Sequence, residues 1–154
     1  MEGKTHSSKH NIHKILAHSY FLYFLFFVVG LYLDIFFNPK VFINSALMPA
    51  GFLLLIFGTL LILWAQKTSR NLQKENITSA TFRNGPYFYT RTPTHWGLFF
   101  LTLGFGMIMN AFFVILSALI SLVISRLVFL DKEEKVLAEK YGTPYLEYKK
   151  IVKF

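Results

Sequence analysis

The chain has 154 residues, 54% of them hydrophobic and 16% charged, with a mean hydropathy of +0.45. That balance is too apolar for a soluble domain of this size, and the absence of cysteine excludes disulfides, thiolate nucleophiles and cysteine metal sites. The net charge of +8 is dispersed over segments flanking apolar tracts, so it reads as membrane topology and attraction to anionic headgroups, not as nucleic-acid binding.

Residues 1–14 are a polar N-terminal arm carrying His6, His10 and His13. Nothing acidic accompanies the histidines, so the arm reads as loose or interfacial and no metal site is expected. From residue 15 to the end, the chain reads as one membrane domain. Residues 15–33 are uncharged and aromatic-rich, which predicts a first membrane helix near 16–36. Its apolar core is too long for a signal peptide, so it is expected to stay as an anchor. Asp34 lies at the outer end of this helix and is expected to reach water. Residues 41–66 predict a second helix near 43–65, in which Gly51 and Gly58 allow close approach of a neighbour. Residues 67–91 read as a polar loop.

Residues 92–125 form an uncharged run of ~34 residues, enough for two crossings if the chain reverses. Asn110, preceded by Gly104 and Gly106, is the best place for the reversal. This predicts a helical hairpin over 94–129, with helices near 94–109 and 111–129. An amphipathic helix over 131–141 follows, ended by Gly142-Thr143-Pro144, and then a short basic-aromatic helix over 145–153. The fold class is thus all-α: an integral membrane protein with about four transmembrane helices and a C-terminal helical tail. Lys and Arg crowd the N-terminal arm, the second loop and the tail, and spare the other connections. The positive-inside rule therefore puts both termini on the cytoplasmic side.

Two polar clusters carry the chemistry. The first is Gly85-Pro86-Tyr87-Phe88-Tyr89-Thr90-Arg91-Thr92-Pro93-Thr94-His95-Trp96-Gly97, where Pro93 opens a helix and Arg91 is the last charge before the long apolar run. A helix N-terminus at a membrane face is suited to an anionic group. The second is Glu133-Glu134, just beyond that run. Arg91 would pair either with a ligand carboxylate or with Glu134, or serve only as a topology charge. His95 is an acid–base group, a ligand contact or an interfacial histidine. Adjacent glutamates point ~100° apart on a helix, so one of the two is expected to face the site. Composition leaves room for a serine–histidine–acid triad, but no residue pattern points to one.

Gly85-Pro86-Tyr87, then Arg91-Thr92-Pro93-Thr94-His95-Trp96-Gly97, then Glu133-Glu134 with Leu137, Tyr141-Gly142, Tyr145 and Tyr148 resemble the isoprenylcysteine carboxyl methyltransferase and phospholipid methyltransferase family. The likeness covers roughly residues 50–154. It implies a helical membrane enzyme that uses S-adenosylmethionine, held by residues of about 80–154 at the cytoplasmic helix ends. Carried over by position, Tyr87, Arg91, Thr92, Pro93, Thr94, His95 and Gly97 border the cofactor. Glu133 or Glu134 holds its amino group, and Thr81 and Phe82 contact its adenosine. Arg91, His95 and Glu134 are the implied catalytic set. The substrate is a lipid, an isoprenylcysteine carboxylate or another hydrophobic acceptor, entering sideways from the bilayer. The oligomeric state is left open.

Thr92 stands where the family has histidine, His95 where it has tyrosine, and Tyr141 where it has phenylalanine. Two other readings therefore stand beside the enzyme: a non-enzymatic membrane scaffold of the same fold, and a membrane reductase of the sterol type using NADPH. The paired glutamates and the short chain weigh against the reductase.

Overall fold

The computed structural model describes the backbone of residues 2–41, 47–71 and 78–153, and the side chains of these residues except 2–16 and 71. Among them every regular element is helical. Helix α1 spans Glu2–Phe37, so the backbone of the polar arm continues the first membrane helix, whose apolar part is Ala17–Phe37. A stable helix propagates into adjoining sequence that lacks a breaker. The His6, His10 and His13 side chains lie outside the described ones.

Helix α2 spans Met48–Asn71 and takes in the first residues of the stretch read as a loop. The start of the expected second helix, at 43–46, lies outside the described residues, as does 72–77. The rest of the expected loop folds into α3 (Ser79–Phe82) and a 3-10 turn (Gly85–Phe88). Helix α4 spans Pro93–Met109 and α5 spans Phe112–Ile124. Asn110 joins them in the left-handed conformation, φ 53° and ψ 44°, which its short polar side chain tolerates. Its Oδ1 accepts the Val41 N–H at 2.9 Å. The hairpin reverses where the sequence places it.

Beyond α5 lies a π-helical turn, Ser125–Phe129, which leads directly into α6 (Leu130–Tyr141). The Leu130 N–H reaches back to the Ser125 carbonyl. The last membrane helix and the amphipathic helix, expected as two pieces, are one continuous rod, Phe112–Tyr141. After Gly142, at φ 61°, the chain enters α7 (Thr143–Ile151). The π turn adds one residue to a helical repeat and so resets which side faces inward. Upstream, Val114, Ser117, Ala118, Ser121 and Ser125 are buried. An unbroken α-helix would carry that stripe through Lys132. Instead Lys132 is exposed, and Glu133 and Glu134 are buried.

Three helices are long and apolar enough to cross a membrane among the described residues: Ala17–Phe37, Met48–Arg70 and Phe112–Tyr141. The expected fourth crossing, α4, has 17 residues and rises ~26 Å, less than the ~30 Å of a hydrocarbon core.

α4 lies against α2 along a seam of small residues. A Cβ on Gly104 would stand 2.6 Å from the Gly51 carbonyl oxygen, and one on Gly58 would stand 2.7 Å from the Gly97 oxygen. The partners repeat at seven-residue spacing on both helices, which run antiparallel, so the two backbones touch at two points two turns apart. α1 packs on α5, where Gly30 meets the Phe113 carbonyl. Asp34 does not simply reach water. It is half-buried, and its carboxylate accepts the N–H groups of Phe113 at 3.0 Å and Val114 at 2.8 Å. These are the second and third residues of α5, so one side chain of α1 caps another helix and meets its positive end.

Both devices can be tested by thermal unfolding in detergent. Gly104→Val forces α2 and α4 apart and is expected to cost about 3 kcal/mol, in the range of overpacking a close contact. Asp34→Ala is expected to cost about 1 kcal/mol, the usual value of a lost helix cap.

Candidate functional site

The site is built on the start of α4. Pro93 occupies the first helical position and is buried, while Thr92 is the N-cap residue and makes no capping bond through its side chain. Arg91 precedes the cap. Its Nη1 forms an ion pair with Glu134 Oε1 of α6, and its Nη2 donates to the Lys153 carbonyl at 3.1 Å. The other carboxylate oxygen of Glu134 meets Lys149 Nζ of α7 at 2.5 Å. The Glu134 side chain is 6% exposed and that of Arg91 13%. A carboxylate so buried requires cations beside it. The guanidinium supplies a fixed fork, of which Nε–H is buried and has no hydrogen-bond partner among the described residues.

Four residues after Arg91, on the same side of the helix, His95 is 5% exposed. Its Nε2 lies 3.3 Å from Glu133 Oε1 and 3.3 Å from Ser19 Oγ of α1. Ser19 Oγ is in turn 3.5 Å from Ser125 Oγ on the π turn. The rings of Tyr20 and Tyr23 stand edge-on to the imidazole, with centroids 6.0 Å away. Ser19 and Glu133 address the same ring nitrogen, so the imidazole cannot pass a proton from one to the other through its two nitrogens. This is not the arrangement of a serine–histidine–acid triad.

The expectation that one glutamate would face the site is corrected: both do. Each takes a different partner, and the two partners stand one turn apart on or just before α4. Glu133 turns to His95 on the side of α1, and Glu134 turns to Arg91 on the side of α7.

The remaining expected residues divide. Thr94 has its side chain near the hydroxyls of Tyr20 and Tyr87. Gly97 faces away from the cluster, into the seam with α2. Thr81 Oγ1 is engaged in the capping box of α3, where it accepts the Thr78 N–H at 3.1 Å. Phe82 is a core residue: it stacks on Tyr148 with centroids 5.6 Å apart and meets Tyr141 and Tyr145 edge-on. Tyr148 donates its hydroxyl to the Tyr87 carbonyl at 2.7 Å, which ties α7 to the 3-10 turn.

Sequence reasoning did not find Ser19, Tyr20, Tyr23, Ser125, Lys149 or the Lys153 carbonyl. One available signal was the spacing of Ser117, Ser121 and Ser125, four residues apart in an apolar helix. Such a stripe marks a buried, close-packed face.

The sequence profile of the phospholipid methyltransferase family matches residues 46–144. The chain belongs to this family. No curated protein and no solved structure matches it. Family membership together with the three membrane-length helices makes the chain a membrane methyltransferase by class. The family match contains Arg91, His95, Glu133 and Glu134, whereas Ser19 and Lys149 lie outside it. It lends no support to the reductase reading.

The tyrosines around the cluster are held neutral. Burial first, and then the neighbouring Tyr20, push the Tyr87 hydroxyl from 10.0 up to about 12. Burial and the Glu134 charge raise Tyr145, and burial and Tyr145 raise Tyr148. The folded values lie above the unfolded one, so burial of these phenols contributes stability that is complete below pH ~10 and is lost as pH rises toward 12. Thermal unfolding should therefore be insensitive to tyrosine ionisation near neutrality and fall steeply above pH ~10. Tyr87→Phe should reduce that alkaline slope.

Proposed function

We propose that the protein is an S-adenosylmethionine-dependent methyltransferase acting on a lipid or another hydrophobic acceptor that enters from the bilayer. The observation that carries this reading is the convergence of Arg91, His95, Glu133 and Glu134 on the start of α4. The donor set fits the cofactor: carboxylates suit its ammonium, and the partnerless Arg91 Nε–H suits its carboxylate. Glu134 and Arg91 would hold the amino-acid end, with Thr92, Pro93 and Thr94 beside them. When bound, S-adenosylmethionine supplies a methyl group already activated by its sulfonium. The protein then has to bind, orient and exclude water, without forming a covalent intermediate.

His95 is the one imidazole in the cluster. Hydrogen-bonded to Ser19 and paired with Glu133, it is placed to receive a proton from an acceptor that must lose one. An acceptor that is already a carboxylate needs no such help. The Tyr87 phenol, pushed up to about 12 by burial, is held protonated near neutrality and does not compete for that role.

The acceptor reading has its own support. A groove of about 850 Å³ runs between α2 and α4 and is lined by Phe57, Leu60, Trp64, Trp96 and Phe100. Thr90, next to Arg91, also lines it, and Trp96 follows His95 directly. An apolar groove at the lipid face, adjoining the charged cluster, suits an acyl or prenyl chain. In this reading α4 completes a fourth crossing, its shortness taken up at the headgroup layer. Both termini and the cluster lie on the cytoplasmic side, where the basic segments are.

Calorimetry in detergent tests the cofactor. The folded protein should bind S-adenosylmethionine, and Glu134→Gln should weaken binding about tenfold or more, the loss of a charge-assisted bond. Absence of binding would favour the scaffold reading. Mass spectrometry of lipid extracts incubated with a deuterium-labelled methyl donor identifies the acceptor. Trp96→Ala should raise KM for that acceptor while leaving cofactor affinity unchanged.

A further inference from the structure

Glu134 has both oxygens paired, one to Arg91 and one to Lys149. A ligand ammonium arriving at Glu134 would be a third cation on one carboxylate, and displacing one of the two already there relieves that repulsion. Arg91 is poorly placed to leave. It is 13% exposed, its Nη2 is tied to the Lys153 carbonyl, and Pro93 fixes the chain two residues on. Lys149 is 46% exposed, sits on a flexible stem and gives up a pair that water screens. It is therefore the cation that yields.

Once released, Lys149 stays nearby. Its neighbour Tyr148 is 2% exposed and bonded to the Tyr87 carbonyl, which anchors this part of α7. An amino-acid ligand brings a carboxylate together with its ammonium, two bonds away. The freed Lys149 and the partnerless Arg91 Nε–H are the donors at hand for this carboxylate. We infer that Lys149 is an exchangeable counter-ion that passes from Glu134 to the ligand carboxylate, making Glu134, Arg91 and Lys149 one recognition site for a zwitterion. The exchange replaces one ion pair by two and leaves no buried charge unmatched. It rests on the methyl-donor reading above, but Lys149 lies beyond the family match at 46–144, so the assignment comes from this chain's own geometry.

The site distinguishes S-adenosylmethionine from its decarboxylated form, which keeps the ammonium and lacks the carboxylate. Calorimetry of both ligands on the full chain in detergent measures that preference. Lys149→Met should reduce the ratio of the two affinities about tenfold, the value of one charge-assisted hydrogen bond. Lys149→Arg should restore most of it. Lys149 is half-exposed, and unchanged thermal unfolding of the variants will show that they fold. If both ligands bind and the ratio is the same in wild type and Lys149→Met, Lys149 is only a competitor for Glu134 and the inference fails. If wild type binds neither ligand, the methyl-donor reading fails and takes this inference with it.

Discussion

Two carboxylates buried at the edge of a helical bundle must be compensated where they stand, and the contacts that do so hold this end of the molecule together. Glu134 draws Arg91 from before α4 and Lys149 from α7. Glu133 faces His95, and His95 brings in Ser19 of α1. Four elements distant in sequence thus meet through four side chains on one turn of α6 and at the start of α4. Removing Arg91 would leave the buried Glu134 carboxylate with only the exposed Lys149 beside it, a much larger penalty than the net worth of the pair itself. The cluster is therefore a weak source of stability but a strong determinant of arrangement.

The opposite end of the bundle is organised differently. There the Asp34 carboxylate spans two backbone N–H groups of α5, about 15 residues or ~22 Å along α1 from Ser19. Between the two ends, α2 and α4 touch backbone to backbone at two glycine pairs. Such contacts permit little sliding, so α4 presents Arg91 and His95 from a rigid support. The mobile component is chosen by exposure: the Lys149 side chain reaches solvent while its anchor Tyr148 does not. Rigidity in α4 and freedom in one lysine suit a site that must admit a ligand and then hold it in line.

Much of this was legible in the residues. Uncharged runs marked the apolar helices, Asn110 marked the reversal, and the order Gly85-Pro86-Tyr87, Arg91, Glu133-Glu134 pointed to the family. Asp34 was misread because a carboxylate at a helix end looks the same whether water or another helix receives it. Thr81 and Phe82 share a motif neighbourhood with the cluster, yet a capping bond and an aromatic core claim them, and only three-dimensional packing decides that. Ser19 and His95 are 76 positions apart, and no periodicity connects them. The pairing of both glutamates was hidden for a different reason: the 100° rule was read with one partner in mind, and two partners stand a turn apart on or just before α4.

The π turn at 125–129 has a consequence for how this chain tolerates change. The sign of the charge at the site is decided by whether the turn keeps its one extra residue out of the α-helical repeat. Straightening of the turn into an ordinary helical ladder, with all its residues kept, would swing the Lys132 ammonium inward and turn the glutamates toward solvent. Arg91 would then face a cation in place of its anion, with no change to any residue of the cluster. Loss of one residue from the turn would instead remove the bulge and leave the glutamates inward, so a substitution that straightens the turn inverts the polarity of the site and a single deletion does not.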